Sequence, residues 1–304
     1  MEDKSFKGHA FLFVAYIIFG LNTPIAKAVL MQGEVSAISL TFYRMAGAAV
    51  LFWIASLFAK KETVNPKDIF MLFLASMFGI LINQMCYIMG LSRTSPIDAS
   101  VITTFIPILT MILAAFFLKE PITWKKVIGV LIGASGALLL IFNSNVSDRG
   151  GASVVGNLLC LASGLSLSLY LTAFKRLITR YSAVTLMKWM FLFATICSLP
   201  ICWGDVSRVD YANISAGMYL RIIYVVALAT FLAYLFLPIG QKSLRPTIVS
   251  MYNYLQPIVA SLVALILGMD VFGWIKGSAT LLIFLGVYIV TRSKSYVQIA
   301  GKKQ

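Results

Sequence analysis

The sequence predicts an all-α integral membrane protein of ten transmembrane helices, built as two inverted five-helix repeats. Three observations predict it. Of the 304 residues, 60% are hydrophobic and 12% charged, whereas a soluble domain is about 45–50% apolar and about 25% charged; the mean hydropathy is +0.90. The apolar residues are gathered into runs of the ~20 residues that an α-helix needs to cross a bilayer. The second half of the chain also repeats features of the first in order.

The runs fall at about 10–31, 36–59, 68–91, 97–118, 124–142, 153–173, 182–203, 217–240, 246–268 and 272–292. Backbone polar groups in lipid must be satisfied within the segment, so each run is read as a helix. The ten-residue alternating segments of a membrane barrel are missing. Met1 to His9 is short and polar and leads into the first run without a small-residue cleavage site. That run is therefore expected to stay as a span. Very short connections, Gln32–Glu34 and Arg93–Pro96, make consecutive helices antiparallel and leave no room for a soluble catalytic domain.

Charge sets the orientation. One side collects Lys60, Lys61, Lys67, Lys119, Lys125, Lys126, Lys175, Arg176, Arg180, Lys242 and Arg245, together with the lysines and arginines of both termini. The other side holds only Arg93, Arg149, Arg208, Arg221 and Lys276. Basic loops stay inside, so both termini are expected in the cytoplasm and the protein in the cell membrane. The net charge of +14 thus reads as topology and not as a nucleic-acid surface.

The repeat is visible in IPILTMILAAFFLKEPITWKK (106–126) and QPIVASLVALILGMDVFGWIK (256–276). Pro107 precedes Glu120, Trp124 and Lys126 by the same intervals at which Pro257 precedes Asp270, Trp274 and Lys276. Pro96 and Pro246, and Gly90 and Gly240, share the offset of 150, while Gly8 with Gly156 and Lys27 with Lys175 share one of 148. The halves are drawn at 1–147 and 148–304. Five helices is an odd number, so the second half lies inverted relative to the first. Two inverted halves can exchange conformations and expose a central site to each side in turn.

Chemistry is sparse. Cys86, Cys160, Cys197 and Cys202 form no CxxC pair and the only histidine is His9, so no metal and no cofactor is expected. No Ser/His/Asp set, HExxH or Walker sequence is present, which argues against an enzyme or an ATPase. No carboxylate lies deep in a span; Asp98 comes nearest. A proton relay of the usual midplane type is therefore missing.

Cations within spans are costly and point to function. Lys27 and Arg44 lie toward one face, Lys175 and Lys188 toward the other. They read as two basic ante-chambers flanking one cavity that attracts an anionic or carboxylate-bearing solute. Snorkelling, or bonds to backbone carbonyls, is the structural alternative. Polar and helix-breaking residues mark the cavity: Asn22, Thr23 and Pro24 in the first helix, Asn83, Gln84 and Tyr87 in the third, Thr103 and Pro107 in the fourth, Trp189 in the seventh, and Tyr252, Asn253, Gln256 and Pro257 in the ninth. The prolines are expected to free carbonyls at midplane depth and to serve as gating points. Gly129 and Gly133 form GxxxG with Gly136 one turn on, which predicts close helix packing within the chain or between two copies of a homodimer.

FGLNTPIAK (Phe19–Lys27), TFYR (Thr41–Arg44), a proline-bearing fourth helix ending FFLKE (Phe116–Glu120) and a Gly-rich fifth helix resemble the EamA family of the drug/metabolite transporter superfamily. The pattern Pro107, Glu120, Gly129 carries the resemblance in the first half; in the second, Asp270 and Ala279 stand in place of Glu and Gly. The resemblance implies a ten-helix permease, often an exporter of metabolites. The expected function is secondary transport of a small polar metabolite, an amino acid or related carboxylate-bearing solute, by alternating access and in the efflux direction. A passive facilitator, an exchanger of sugar- or nucleotide-type metabolites, and a receptor or scaffold are the alternatives. The expected partners are the solute and the bilayer, with no nucleic acid.

Overall fold

The computed structural model describes residues 2–117, 123–143, 153–243, 252, 255–269 and 273–291. Among them every regular element is helical, as the apolar runs require. The first helix, α1 (Glu2–Gln32), begins ahead of its apolar run and passes through Pro24 without a break, contrary to the interruption expected there. It stops at Gly33, whose φ of 76° is the left-handed conformation that ends many helices. The next helix, α2 (Ala37–Phe58), is started by Ser36, whose hydroxyl accepts from the Ser39 amide.

The third stretch joins α3 (Pro66–Ser76), a π-helical segment (Met77–Ile82) and α4 (Asn83–Arg93). The fourth is divided into α5 (Pro96–Thr103) and α6 (Ile106–Phe117), followed by α7 (Trp124–Asn143). In the second half α8 (Val154–Ala173) leads through Phe174 into the short α9 (Lys175–Arg180), and α10 (Ala183–Val206) follows. Then come α11 (Ala216–Ile223), a second π-helical segment (Tyr224–Leu232) and α12 (Ala233–Ser243). The last two are α13 (Leu255–Ile266) and α14 (Trp274–Thr291).

Among the described residues, seven stretches are long and apolar enough to cross a membrane: Lys7–Gln32, Ala37–Phe58, Pro66–Arg93, Pro96–Phe117, Val154–Ala173, Ala183–Val206 and Ala216–Gly240. Three apolar helices are shorter, at Val127–Gly136, Leu255–Ile266 and Trp274–Gly286. The two π-containing stretches start at Pro66 and Ala216 and end at Arg93 and Ser243, in the register in which Gly90 pairs with Gly240 in the sequence. Nothing in residue type announces a π segment, and sequence reading missed both.

Glycine decides where helices approach closely. A Cβ at Gly90 would lie 2.7 Å from Cys160 Sγ and 2.8 Å from the Gly156 carbonyl, and one at Gly240 would strike Leu12. The same contact is thus made twice: α4 on α8, and α12 on α1. A Cβ at Gly136 would lie 2.7 Å from the Ala279 carbonyl, and one at Gly286 would lie 2.5 Å from both the Gly129 carbonyl and the Gly133 amide. As α7 advances from Gly129 to Gly136, its partner positions on α14 retreat from Gly286 to Ala279, so these two helices are antiparallel. The GxxxG face is therefore occupied within the chain.

Gly286→Ala is expected to lower stability by about 1–3 kcal/mol, since the obstructing atoms are backbone and cannot rotate away. Gly217→Ala in α11, with open space around it, is expected to be neutral or slightly stabilising. Thermal unfolding of the two purified variants checks the contrast.

Candidate functional site

Arg44 lies on the inward face of α2 and is 3% exposed. Its Nε donates to Thr230 Oγ1 at 3.1 Å. Thr230 in turn donates to the Val225 carbonyl at 2.7 Å, five residues back in the second π-helical segment. The wider π turn places this hydroxyl so that its lone pairs face the guanidinium. Arg44 Nη1 makes no hydrogen bond, and the phenols of Tyr234 and Tyr87 are close enough to act on its charge.

Neutral polar groups surround this cation. Tyr234 reaches Asn83 Oδ1 at 3.5 Å, while Asn83 Nδ2 donates to the Ser163 carbonyl at 3.0 Å and to its hydroxyl at 2.9 Å. Thr23 Oγ1 and Tyr87 Oη are 2.7 Å apart, with Gln256 beside the same phenol. Asn22 Oδ1, both amide atoms of Gln84 and the Tyr170 hydroxyl are buried without a hydrogen-bond partner. Buried polar atoms are nearly always satisfied, so these unsatisfied ones call for an explanation, and a bound polar solute would supply one. Aromatic rings enclose it: Phe19 and Phe191 stand 5.8 and 5.4 Å from Tyr234, and Phe52 packs on Phe191 and Phe231 at 5.4 and 4.7 Å.

The structure thus brings together Thr23, Arg44, Asn83, Gln84 and Tyr87 with Thr230, Tyr234 and Tyr170, three residues that sequence reading missed; Asn22 is buried next to Thr23 on α1. The phenols were hidden among thirteen tyrosines; only the helix pairing selects them. Thr103 is buried at the end of α5 and donates to the Ser100 carbonyl at 2.6 Å. Pro107 and Pro257 sit in the first turns of α6 and α13, where a missing amide hydrogen costs nothing to the helix that starts. Pro107 does leave the Thr103 carbonyl without its usual amide donor, at the break between α5 and α6.

Other expected positions lie elsewhere. The Lys188 Nζ stands 5.0 Å above the Trp53 ring, and Trp189 packs on Trp53 and Phe193 at 5.6 and 5.9 Å. These form a separate aromatic patch between α2 and α10, with Trp53 38% exposed. Tyr252 bonds His9 Nδ1 at 2.7 Å and stacks on Tyr16. Asn253, Glu120 and Asp270 lie outside the described residues.

Two lysines act on one turn. Lys27 Nζ donates to the carbonyls of Leu91, Ser92 and Thr94 at 2.9, 3.3 and 2.8 Å. It closes the C-terminal end of α4, where carbonyls lack intrahelical donors and the helix dipole is negative. Of the two readings of Lys27, the bond to backbone carbonyls is the one observed. Lys276, at the start of α14, lies 3.5 Å from Asp98 Oδ1 and donates to Ser95 Oγ at 3.1 Å. Ser95 is itself the cap of α5, accepting from the Asp98 amide at 3.1 Å. Asp98 and Lys276 are 2% and 7% exposed.

At the opposite end of α3 and α4, Asp68 accepts from Arg180 and from the Tyr181 hydroxyl, both at 2.6 Å. Glu62 accepts from the Ser182 amide at 2.9 Å, and Lys242 donates to the Tyr181 carbonyl. Partial burial works against a charged Glu62. Even so, the Ser182 amide, the hydroxyls of Ser182 and Thr185, and Lys242 together hold its carboxyl below the ordinary range.

Known proteins share this architecture. A solved crystal structure superposes with a TM-score of 0.66 at 17% identity, covering 93% of this chain and 96% of its own. The uncharacterized transporter YetK of Bacillus subtilis is 21% identical, over 97% of this chain and 89% of its own length. An uncharacterized transporter of Archaeoglobus fulgidus is 26% identical over 85% and 90%. A WAT1-related protein of Arabidopsis thaliana is 25% identical over 100% and 96%. The profile of the EamA-like transporter family matches twice, over residues 6–142 and 154–292. With two such matches along a chain of membrane-spanning helices, this protein belongs to the EamA-like transporter family.

Proposed function

We propose that this membrane transporter is a secondary carrier for a small polar metabolite, an amino acid or related carboxylate-bearing solute, which it exports across the cytoplasmic membrane by alternating access. The observation that carries the proposal is Arg44: a buried guanidinium with a free Nη1, set among unsatisfied amides and a phenol where α1, α2, α4, α8 and α12 converge. A fixed cation with a planar donor fork suits a carboxylate.

The carrier is read as ten spans in two inverted halves, 1–147 and 148–304. The antiparallel contact of α7 with α14, the doubled glycine contacts and the matched π segments support that reading. The basic bias of one set of loops supports cytoplasmic termini. Homodimerisation, if it occurs, uses a face other than the glycine face of α7.

Flux into proteoliposomes, measured with labelled amino acids, organic acids and sugars, tests the proposal. Saturable uptake of a carboxylate-bearing class is expected. Arg44→Gln is expected to lower kcat/KM for it about tenfold to a hundredfold, since a hydrogen bond to a charged group is worth about 1.5–3 kcal/mol. Uptake unchanged in a correctly inserted Arg44→Gln protein would remove this residue from the site. A response to an imposed pH gradient separates coupled transport from facilitation.

A further inference from the structure

We infer that the Arg44 site is matched to organic anions with an apolar or aromatic body and discriminates against zwitterions; this narrows the carrier reading above and rests on it. The argument is one of charge balance. Arg44 is 3% exposed, and the groups beside it, Thr230, Tyr234 and Tyr87, are all neutral. Arginine does not discharge by losing its proton under ordinary conditions. A buried charge without a counter-charge is among the most unfavourable arrangements in a membrane protein.

The chain has eleven acidic residues, and none lies in the middle of an apolar run. The two nearest, Asp68 and Asp98, stand in the first turns of α3 and α5. Both face other cations: Arg180 at 2.6 Å and Lys276 at 3.5 Å. Among the described residues, no carboxylate is paired with Arg44, and none stands beside it to hold a substrate ammonium.

A monoanion bound to Arg44 makes the loaded site neutral. A zwitterion leaves it at one positive charge and sets a second cation near the guanidinium. The remaining open groups are neutral. Asn22 Oδ1, the Gln84 amide and the Tyr170 hydroxyl can bond a hydroxyl, a carbonyl or an amide, but they cannot cancel a charge. Phe19, Phe191 and Tyr234 supply an aromatic wall for the body of the solute.

The test uses three ligands with one body: hydrocinnamate, phenylalanine and hydrocinnamyl alcohol, which are an anion, a zwitterion and a neutral compound. Binding to the purified full chain in lipid nanodiscs is measured by calorimetry, and flux of labelled hydrocinnamate and of labelled phenylalanine is followed in proteoliposomes. Hydrocinnamate is expected to bind at least tenfold tighter than either of the others. Arg44→Gln is expected to erase that difference, and Arg44→Lys, which keeps the charge, to preserve its sign. Phenylalanine binding as tightly as hydrocinnamate, or no binding by hydrocinnamate at all, would overturn the inference; saturable phenylalanine flux alongside would leave the carrier reading standing. Anion-selective binding in a protein that carries no solute would instead sustain the inference and sink the carrier reading.

Discussion

Lys276→Met is expected to be strongly destabilising. It takes from Asp98, which is 2% exposed, the ammonium that now lies 3.5 Å away. Removing one partner of a buried pair costs about 3–5 kcal/mol, much of it the penalty of the uncompensated charge left behind. The double variant Lys276→Met/Asp98→Asn is therefore expected to recover a large part of that loss, because it removes the carboxylate charge as well. Thermal unfolding of the two single variants and the double variant, read as a double-mutant cycle, measures the coupling. Strict additivity would mean that the pair does not hold α5 against α14. Lys276→Met as stable as the unaltered protein would mean the same.

Lys27→Met is expected to be costly for a different reason. Lys27 donates to three carbonyls at the end of α4. The last carbonyls of a helix have no donors of their own, and Leu91 and Thr94 are fully buried. Each hydrogen bond from a charged donor contributes about 1.5–3 kcal/mol, and because one ammonium serves all three, the expected loss is about that much in total or somewhat more. Lys27→Arg, which keeps charge and donors, is expected to lose less. The readouts are thermal unfolding and amide exchange across residues 91–98, where Lys27→Met should exchange faster. Unaltered exchange there would show that the turn stands without the lysine.

Both predictions concern the same turn. The α4–α5 connection is held by Lys27 from α1 and by Lys276 from α14. It is also held from α8, where the Ser153 amide donates to the Arg93 carbonyl at 3.0 Å and Thr94 bonds Asn157. Three other helices thus meet on the turn between α4 and α5. Any movement of α1 and α14 relative to α4 and α5 has to release both lysines.

The spans were legible because burial in lipid demands long apolar runs, and such runs are local in sequence. The doubling was legible for a related reason. Gly90 and Gly240 each sit where another helix comes too close for a Cβ, the Gly156 carbonyl and Cys160 in one case and the Leu12 side chain in the other, so a small residue recurs at both places. Arg44 was legible as a cost: an arginine in an apolar helix requires an explanation wherever it points.

What the sequence by itself determined, then, is that the chain consists of apolar helices with glycine contacts at repeated positions and one deep arginine. Tertiary structure alone decided what each cation does. Lys27, Arg44 and Lys188 are all basic residues inside apolar runs, yet one meets carbonyls 64 residues away, one meets Thr230, and one lies over Trp53. Lys276 read as a loop charge and is instead 7% exposed beside Asp98. The reason is physical: a charge on a helix is defined by what the neighbouring helix presents, and helix pairing is set by contacts between residues far apart in the chain. The same holds for Tyr170, Thr230 and Tyr234, whose side chains became part of a site only when α8, α12 and the π turn before it closed around Arg44.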